Sequence, residues 1–403
     1  MPTMLVQTLK GFRDFLPREE RKRQYVISTL KDVFESYGFE PLETPALEYE
    51  EILSGKYGDE GDKLMYRFED NGEREVALRY DQTVPLSRVV AQYQNDLPMP
   101  FKRYQVQPVW RAENTQKGRF REFLQCDIDT VGTTSVLSDA EILAIINDSY
   151  EALGFQGFTI LVNDRTLFAD LSQKAIIAID KLKKTDKESV KKELETLGVD
   201  PKKLDSLIES STPEKLGKIV NKAIEFGVDE KRIKFEPTLA RGLDYYTGII
   251  IEVEIDGYTV GSTGGGGRYD NLIGMFAGKQ IPAVGFAFGF DRIIEAMEEQ
   301  KLFPKDLITT HALVTIFSPN LLDKSLELSY MLRAKNIPTE LYLDESVKME
   351  KQLKYADMKG IPFVLIIGPE EAKAKKITLK NLKTRDQQLL PFEEAVKKIL
   401  SLK

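Results

Sequence analysis

The 403-residue sequence contains one cysteine, Cys126, and one histidine, His311. A single thiol excludes an internal disulfide framework and any cysteine-based zinc site. A single imidazole excludes paired-histidine metal sites and speaks against histidine acid/base catalysis. No apolar run approaches the roughly 20 residues that span a bilayer. The opening MPTMLVQTLKGF lacks the charged and apolar regions of a signal peptide. A cytoplasmic location with no membrane contact is therefore expected. Any chemistry must rest on Arg, Lys, carboxylates, amides and bound ions.

What remains is a chain with 42% hydrophobic and 30% charged residues, long enough for two or three domains with real cores. The net charge of −7 counts weakly against bulk nucleic-acid binding, but it is unevenly spread. From His311 to Lys403, 16 Lys+Arg stand against 12 Asp+Glu, a net of +4; the remainder has 41 against 52, a net of −11. A mild positive excess fits surface solubility and a polyanion partner equally well.

The most informative stretch is FKRYQVQPVWRAENTQKGRFREFLQCDIDTVG, Phe101 to Gly132. Both flanks alternate with period two around a polar segment from Ala112 to Gly118, which predicts a long hairpin. Alternation sorts the side chains by face. Arg103, Gln105, Gln107, Val109 and Arg111 share one side with Arg119, Arg121, Phe123, Gln125, Asp127 and Asp129. Tyr104, Val106, Pro108 and Trp110 lie opposite, with Phe120, Glu122, Leu124, Cys126 and Ile128. The polar side is open to two readings, a solvated sheet face or a binding platform. Its mixture of Arg with Asp and Gln, and the further cation Lys117 in the loop, favours a platform for an anion and a small polar molecule.

Along the chain, GFRDFLP is turn-rich and leads into an amphipathic helix, Arg18 to Tyr37, stopped by Gly38. Phe39 to Leu47, with Pro41 and Pro45, suits an edge or interface strand. Met65 to Leu78 reads as a hairpin around Asn71-Gly72. Asp81, Gln82 and Thr83 precede a helix near Pro85, where caps and binding groups look alike. Ser138 to Leu153 is helical and Gly157 to Asn163 a β-branched run. From about 165 to 232 the texture becomes Lys/Glu/Leu-rich, a helical insertion or small separate domain. A strand is expected from Ile249 to Ile255, followed by GSTGGGGRYDNL, then AVGFAFGFDRI running from strand into helix. The glycine run matches neither a Walker A motif nor a dinucleotide fingerprint; close approach of a ligand to the backbone and close strand packing both remain open. Beyond Asp306, alternating strands and helices predict a compact α/β unit of about 90 residues.

Taken together, these blocks resemble the class II aminoacyl-tRNA synthetases and, among them, the histidyl-tRNA synthetases. YGFEPLETPALE resembles the dimer-interface motif, FKRYQVQPVWRAEN…GRFREFLQCDID the second class motif and GFAFGFDRI the third. ARGLDYYTG and GGGGRYDNL resemble the histidine-specific elements. The resemblance implies an α+β fold, an antiparallel sheet flanked by helices, in a catalytic domain of residues 1–310. It also implies an anticodon-binding domain over 311–403, a homodimer, and histidine, ATP, Mg2+ and tRNA(His) as substrates and partners.

The same resemblance implies roles residue by residue. Arg111 would hold the ATP α-phosphate and the histidine carboxylate, with Arg241 facing the α-phosphate from the other side. Arg119 would reach the outer phosphates, Glu113 would sit near the adenine, and Phe123 and Arg292 would sandwich that base. Asp81 and Thr83, flanking Gln82, would take the α-ammonium, and Gln125 would help place the carboxylate. Asp129, Tyr246 and Tyr269 would read the imidazole, with Tyr245 lining the pocket. Asp81 and Asp129 stand where some members carry Glu, a shorter reach with unchanged charge. The alternative is a non-catalytic histidine-sensing regulatory paralogue, which typically lacks the C-terminal domain and parts of the ARGLDYYTG block.

Overall fold

The computed structural model describes residues 6–115, 118–183, 185–240, 245–305 and 307–401. Contacts divide the chain into two units, Met1–Phe303 and Pro304–Lys403.

The first unit is built on an eight-stranded sheet. In spatial order its strands are Glu40–Pro41, Phe101–Trp110, Glu122–Val131, Ala283–Phe288, Gly264–Arg268, Ile249–Ile255, Phe158–Asp164 and Ile233–Phe235. The outermost pair at each edge is parallel and every inner pairing is antiparallel. The hairpin pairs Arg103 with Asp129, Gln105 with Asp127, Gln107 with Gln125 and Val109 with Phe123, so the polar set falls on one face as alternation requires. Its strands stop at Trp110 and begin again at Glu122, which makes the connection longer than the polar segment alone.

The apolar face is covered by helices. Tyr104, Cys126, Ile128, Val253, Phe286 and Phe288 pack beneath Val26, Leu30 and Phe34 of the helix Pro17–Ser36 and the buried flank of Val136–Ala152. The Lys/Glu-rich stretch is helical and divides between two cores. Its last helix, Glu214–Glu225, sends Leu216, Ile219 and Ala223 into this main core. The earlier helices form a smaller core over Leu161 and Ile250 of the sheet's opposite face.

The glycine run is itself a central strand, Gly264–Arg268. A Cβ at Gly266 would overlap the Gly285 carbonyl oxygen of the adjacent strand, so packing between strands accounts for that residue. Arg268 ends the strand fully buried, its Nε and Nη2 donating to the two carboxylate oxygens of Asp139 at 2.9 and 2.8 Å. That clamp fixes the backbone one residue before Tyr269.

The second unit is a five-stranded mixed sheet in the order Thr339–Leu341, Ala312–Val314, Phe363–Ile366, Ile377–Asn381 and Gln387–Leu390. Leu328, Leu332, Val396 and Ile399 cover one face, and Ala356 covers the other. The short helix Pro369–Ala374 and the strand Gln387–Leu390 add to the elements expected from the sequence.

Candidate active site

The polar hairpin face is not solvated. Arg103 and Gln105 are 0% exposed, and Asp127 and Asp129 are 3% and 4% exposed. This face forms part of the wall of a cavity of about 1130 Å³ within the first unit. From Phe123 to Asp129 the strand advances about 20 Å, at about 3.3 Å per residue, so the hairpin presents two distinct regions to the cavity.

At the loop end stand Arg111, Glu113, Arg119, Phe123 and Arg292. The Arg111 Nε donates to the Tyr80 carbonyl at 3.0 Å, and its guanidinium lies 4.4 Å from the Tyr80 ring centre and 5.1 Å from that of Phe123. Arg119 and Glu113 pair at 3.4 Å across the hairpin connection. The helix Phe290–Glu299 follows Gly289, which offers it no side-chain cap. Arg292, in the first turn of that helix, is steadied by donating from Nη1 to the Ser262 carbonyl at 2.6 Å. Its neighbour Asp291 pairs with Arg13 and Arg23, each at 2.9 Å, which ties the turn-rich N-terminal segment to the helix that carries Arg292.

At the other end the cavity meets Asp81, Thr83, Gln125, Asp127, Asp129, Tyr245, Tyr246 and Tyr269. The Asp81 Oδ1 accepts from the Tyr57 hydroxyl at 2.8 Å and from the Val84 N–H at 3.1 Å, so this carboxylate both caps the helix Thr83–Gln92 and faces the cavity. Burial raises its pKa, against the pull of these donors and of Arg111 and Arg103. The Asp129 Oδ1 accepts from the Tyr269 hydroxyl, and its Oδ2 lies 2.6 Å from the Arg103 guanidinium. Burial pushes Asp129 up to about 6, with Arg103 and Tyr269 opposing. Tyr57 and Tyr269, pushed up by burial and by their carboxylate partners, remain phenols and hydrogen-bond donors. Tyr245 packs against Tyr246 and Tyr269, with ring centres 4.8 and 5.8 Å away.

Glycine at two positions makes room for this arrangement. A Cβ at Gly285 would overlap Asp129 Oδ1, and one at Gly267 would stand 2.9 Å from the Tyr246 ring.

The structure does not bring Gln82 to the cavity wall. It is fully buried, and its Nε2 donates to the Gln107 and Gln125 carbonyls at 2.9 and 3.2 Å, bridging the two hairpin strands. Its adjacency to Asp81 in sequence does not carry its side chain into the same space. Arg241 and Lys117 lie outside the described residues. Sequence reasoning missed Tyr57, and it missed the helix Gln173–Asp180 of the insertion, whose Gln173, Lys174 and Ile177 also line the cavity. Nothing periodic marks either. Arg103 and Asp127 were visible on the polar face but had no assigned role.

Chemically, one end offers guanidiniums and an aromatic ring, suited to a phosphorylated nucleotide. The other offers buried carboxylates and phenols, suited to a small polar cation or an N–H-bearing ring.

A family model described as histidyl-tRNA synthetase matches residues 11–220 and 164–293, and one described as anticodon binding domain matches 311–402. The histidine--tRNA ligase of Cytophaga hutchinsonii is 40% identical, with 97% of this chain and 98% of that protein covered. The crystal structure of histidyl-tRNA synthetase from Nostoc sp. PCC 7120 superposes with a TM-score of 0.87 at 32% identity, covering 100% of both chains. A Bacillus halodurans structure described as an ATP phosphoribosyltransferase regulatory subunit/histidyl-tRNA synthetase has a TM-score of 0.74 at 21% identity, covering 88% of this chain and 97% of that one, a likeness of fold alone.

Proposed function

The chain belongs to the histidyl-tRNA synthetase family, and from that membership we propose that it activates L-histidine with ATP and transfers it to the 3′ end of tRNA(His). The observation that carries this reading is one cavity with guanidiniums at one end and buried carboxylates and tyrosines at the other. In the first step a histidine carboxylate oxygen bonds to the α-phosphorus of ATP and pyrophosphate leaves. In the second, the terminal ribose hydroxyl bonds to the acyl carbon and AMP leaves.

The nucleophile of the first step is already ionised at neutral pH, so alignment and charge neutralisation matter more than proton transfer. Arg111 would hold the α-phosphate and the histidine carboxylate, Arg241 would face the same phosphate, and Arg119 would take the outer phosphates. Phe123 and Arg292 would enclose the adenine near Glu113. Asp81 and Thr83 would take the ammonium, Gln125 the carboxylate, and Asp129 with Tyr246 and Tyr269 the ring. Among the described residues no three His, Cys, Asp or Glu side chains are grouped to hold a metal ion. Mg2+ bound with ATP would neutralise polyphosphate charge beside Arg111 and Arg119. Within the second unit, residues 311–403 would bind the anticodon, and their net of +4 is compatible with a polyanion partner. A homodimer in the cytoplasm completes the reading; Leu47, Tyr49 and Phe68, exposed on the three-stranded sheet Leu47–Tyr49, Glu75–Leu78 and Arg67–Glu69, support a covered face there.

The regulatory alternative shares the fold, but the match to an anticodon-binding model and the full-length identity to ligases favour the enzyme. The test is aminoacylation of tRNA(His) by purified protein with ATP and Mg2+. Histidine is expected to be attached and other amino acids not; attachment of a different amino acid in preference would refute the assignment.

A further inference from the structure

Asp127 lies on the cavity side of the hairpin, between Gln125 and Asp129, and is 3% exposed. Its Oδ2 accepts from the Gln125 Nε2 at 3.1 Å. Its Oδ1 is buried and, among the described residues, has no hydrogen-bond partner. Leaving such an oxygen unmatched costs about 1–3 kcal/mol, which makes it a site for a ligand atom. Asp129, by contrast, already has Tyr269 on one oxygen and Arg103 against the other.

Resting on the proposed histidine activation, we propose that Asp127 is a further specificity-determining residue, its free Oδ1 pairing with the substrate ring at a nitrogen beside the group that Asp129 reads. Burial pushes the Asp127 carboxyl well above the usual range; Arg103 opposes this, and Asp129 and Asp81 add to it. Since Oδ2 receives the Gln125 N–H, Oδ1 is the oxygen left to pair with the ring nitrogen. A ring without nitrogen leaves that buried oxygen unpaired and is rejected for that reason.

The test uses the full-length protein in histidine-dependent ATP–pyrophosphate exchange, with L-3-(2-thienyl)alanine as a competing amino acid whose ring has no nitrogen. In Asp127→Ala the KM for histidine is expected to rise about tenfold to a hundredfold while the thienylalanine Ki and the ATP KM stay within about twofold, the loss of one buried hydrogen bond. Asp127→Asn, which keeps a hydrogen-bonding side chain of the same shape, recovers most of the lost affinity. Asp127→Leu gives the same comparison should the alanine variant not fold. An unchanged histidine KM in Asp127→Ala, equal weakening of both amino acids, or an asparagine variant as poor as the alanine overturns the proposal. Absence of exchange in the wild-type protein is a different result, and removes the functional reading together with this one.

Discussion

At the scale of single residues, the site depends on carboxylates kept out of water. The Asp129 pKa of about 6 exceeds the ordinary aspartate value near 4, so the folded protein holds a proton that the unfolded chain releases. Its contribution to stability is present below about pH 4 and is lost as pH rises through about 6. Asp129→Asn, which cannot ionise, should flatten that part of the pH dependence. Thermal unfolding across this range checks it; parallel curves for the two proteins would contradict it. Gly285→Ala tests the space beside Asp129. The added methyl meets a carboxylate oxygen of Asp129 and, at 2.7 Å, the Ile128 carbonyl, and the latter cannot swing aside. A cost of about 1–3 kcal/mol in urea unfolding is expected, as for other overpacked sites, with a larger rise in the KM for histidine than for ATP. The faces of the hairpin were legible because strand alternation is a local rule. The partners of Asp81 and Asp129 were not, since Tyr57 and Tyr269 meet them across 24 and 140 residues of chain.

At the scale of elements, the central strand Gly264–Arg268 was the hardest to read. Glycines offer no alternation and little β-propensity, and only their neighbours reveal why side chains are absent there. The strand is anchored by the Arg268–Asp139 pair, with side-chain exposures of 2% and 0%. Removing one partner leaves a buried charge unmatched, so Asp139→Ala should destabilise the first unit by about 3–5 kcal/mol. Because Tyr269 follows Arg268 directly, histidine affinity should fall as well. Urea unfolding and the histidine KM together check this, and a variant with wild-type values for both would exclude the anchoring role. The strand Gln387–Leu390 escaped notice for another reason: three of its four residues are exposed, so no buried face imposes a pattern.

For the whole molecule, the two compact units suggest a division of labour. Deleting His311 to Lys403 should leave pyrophosphate exchange near the wild-type rate and sharply reduce charging of tRNA; an unchanged charging rate would exclude anticodon binding by that part. Its alternating strands and helices were readable in order, and the insertion's helical texture was too. That the insertion's helix Gln173–Asp180 reaches the cavity was not, because packing between distant segments leaves no periodic trace. Histidine activation by the first unit is tested most directly by ATP–pyrophosphate exchange with pure, folded protein: exchange that requires histidine is predicted, and no exchange above background at saturating histidine would contradict it.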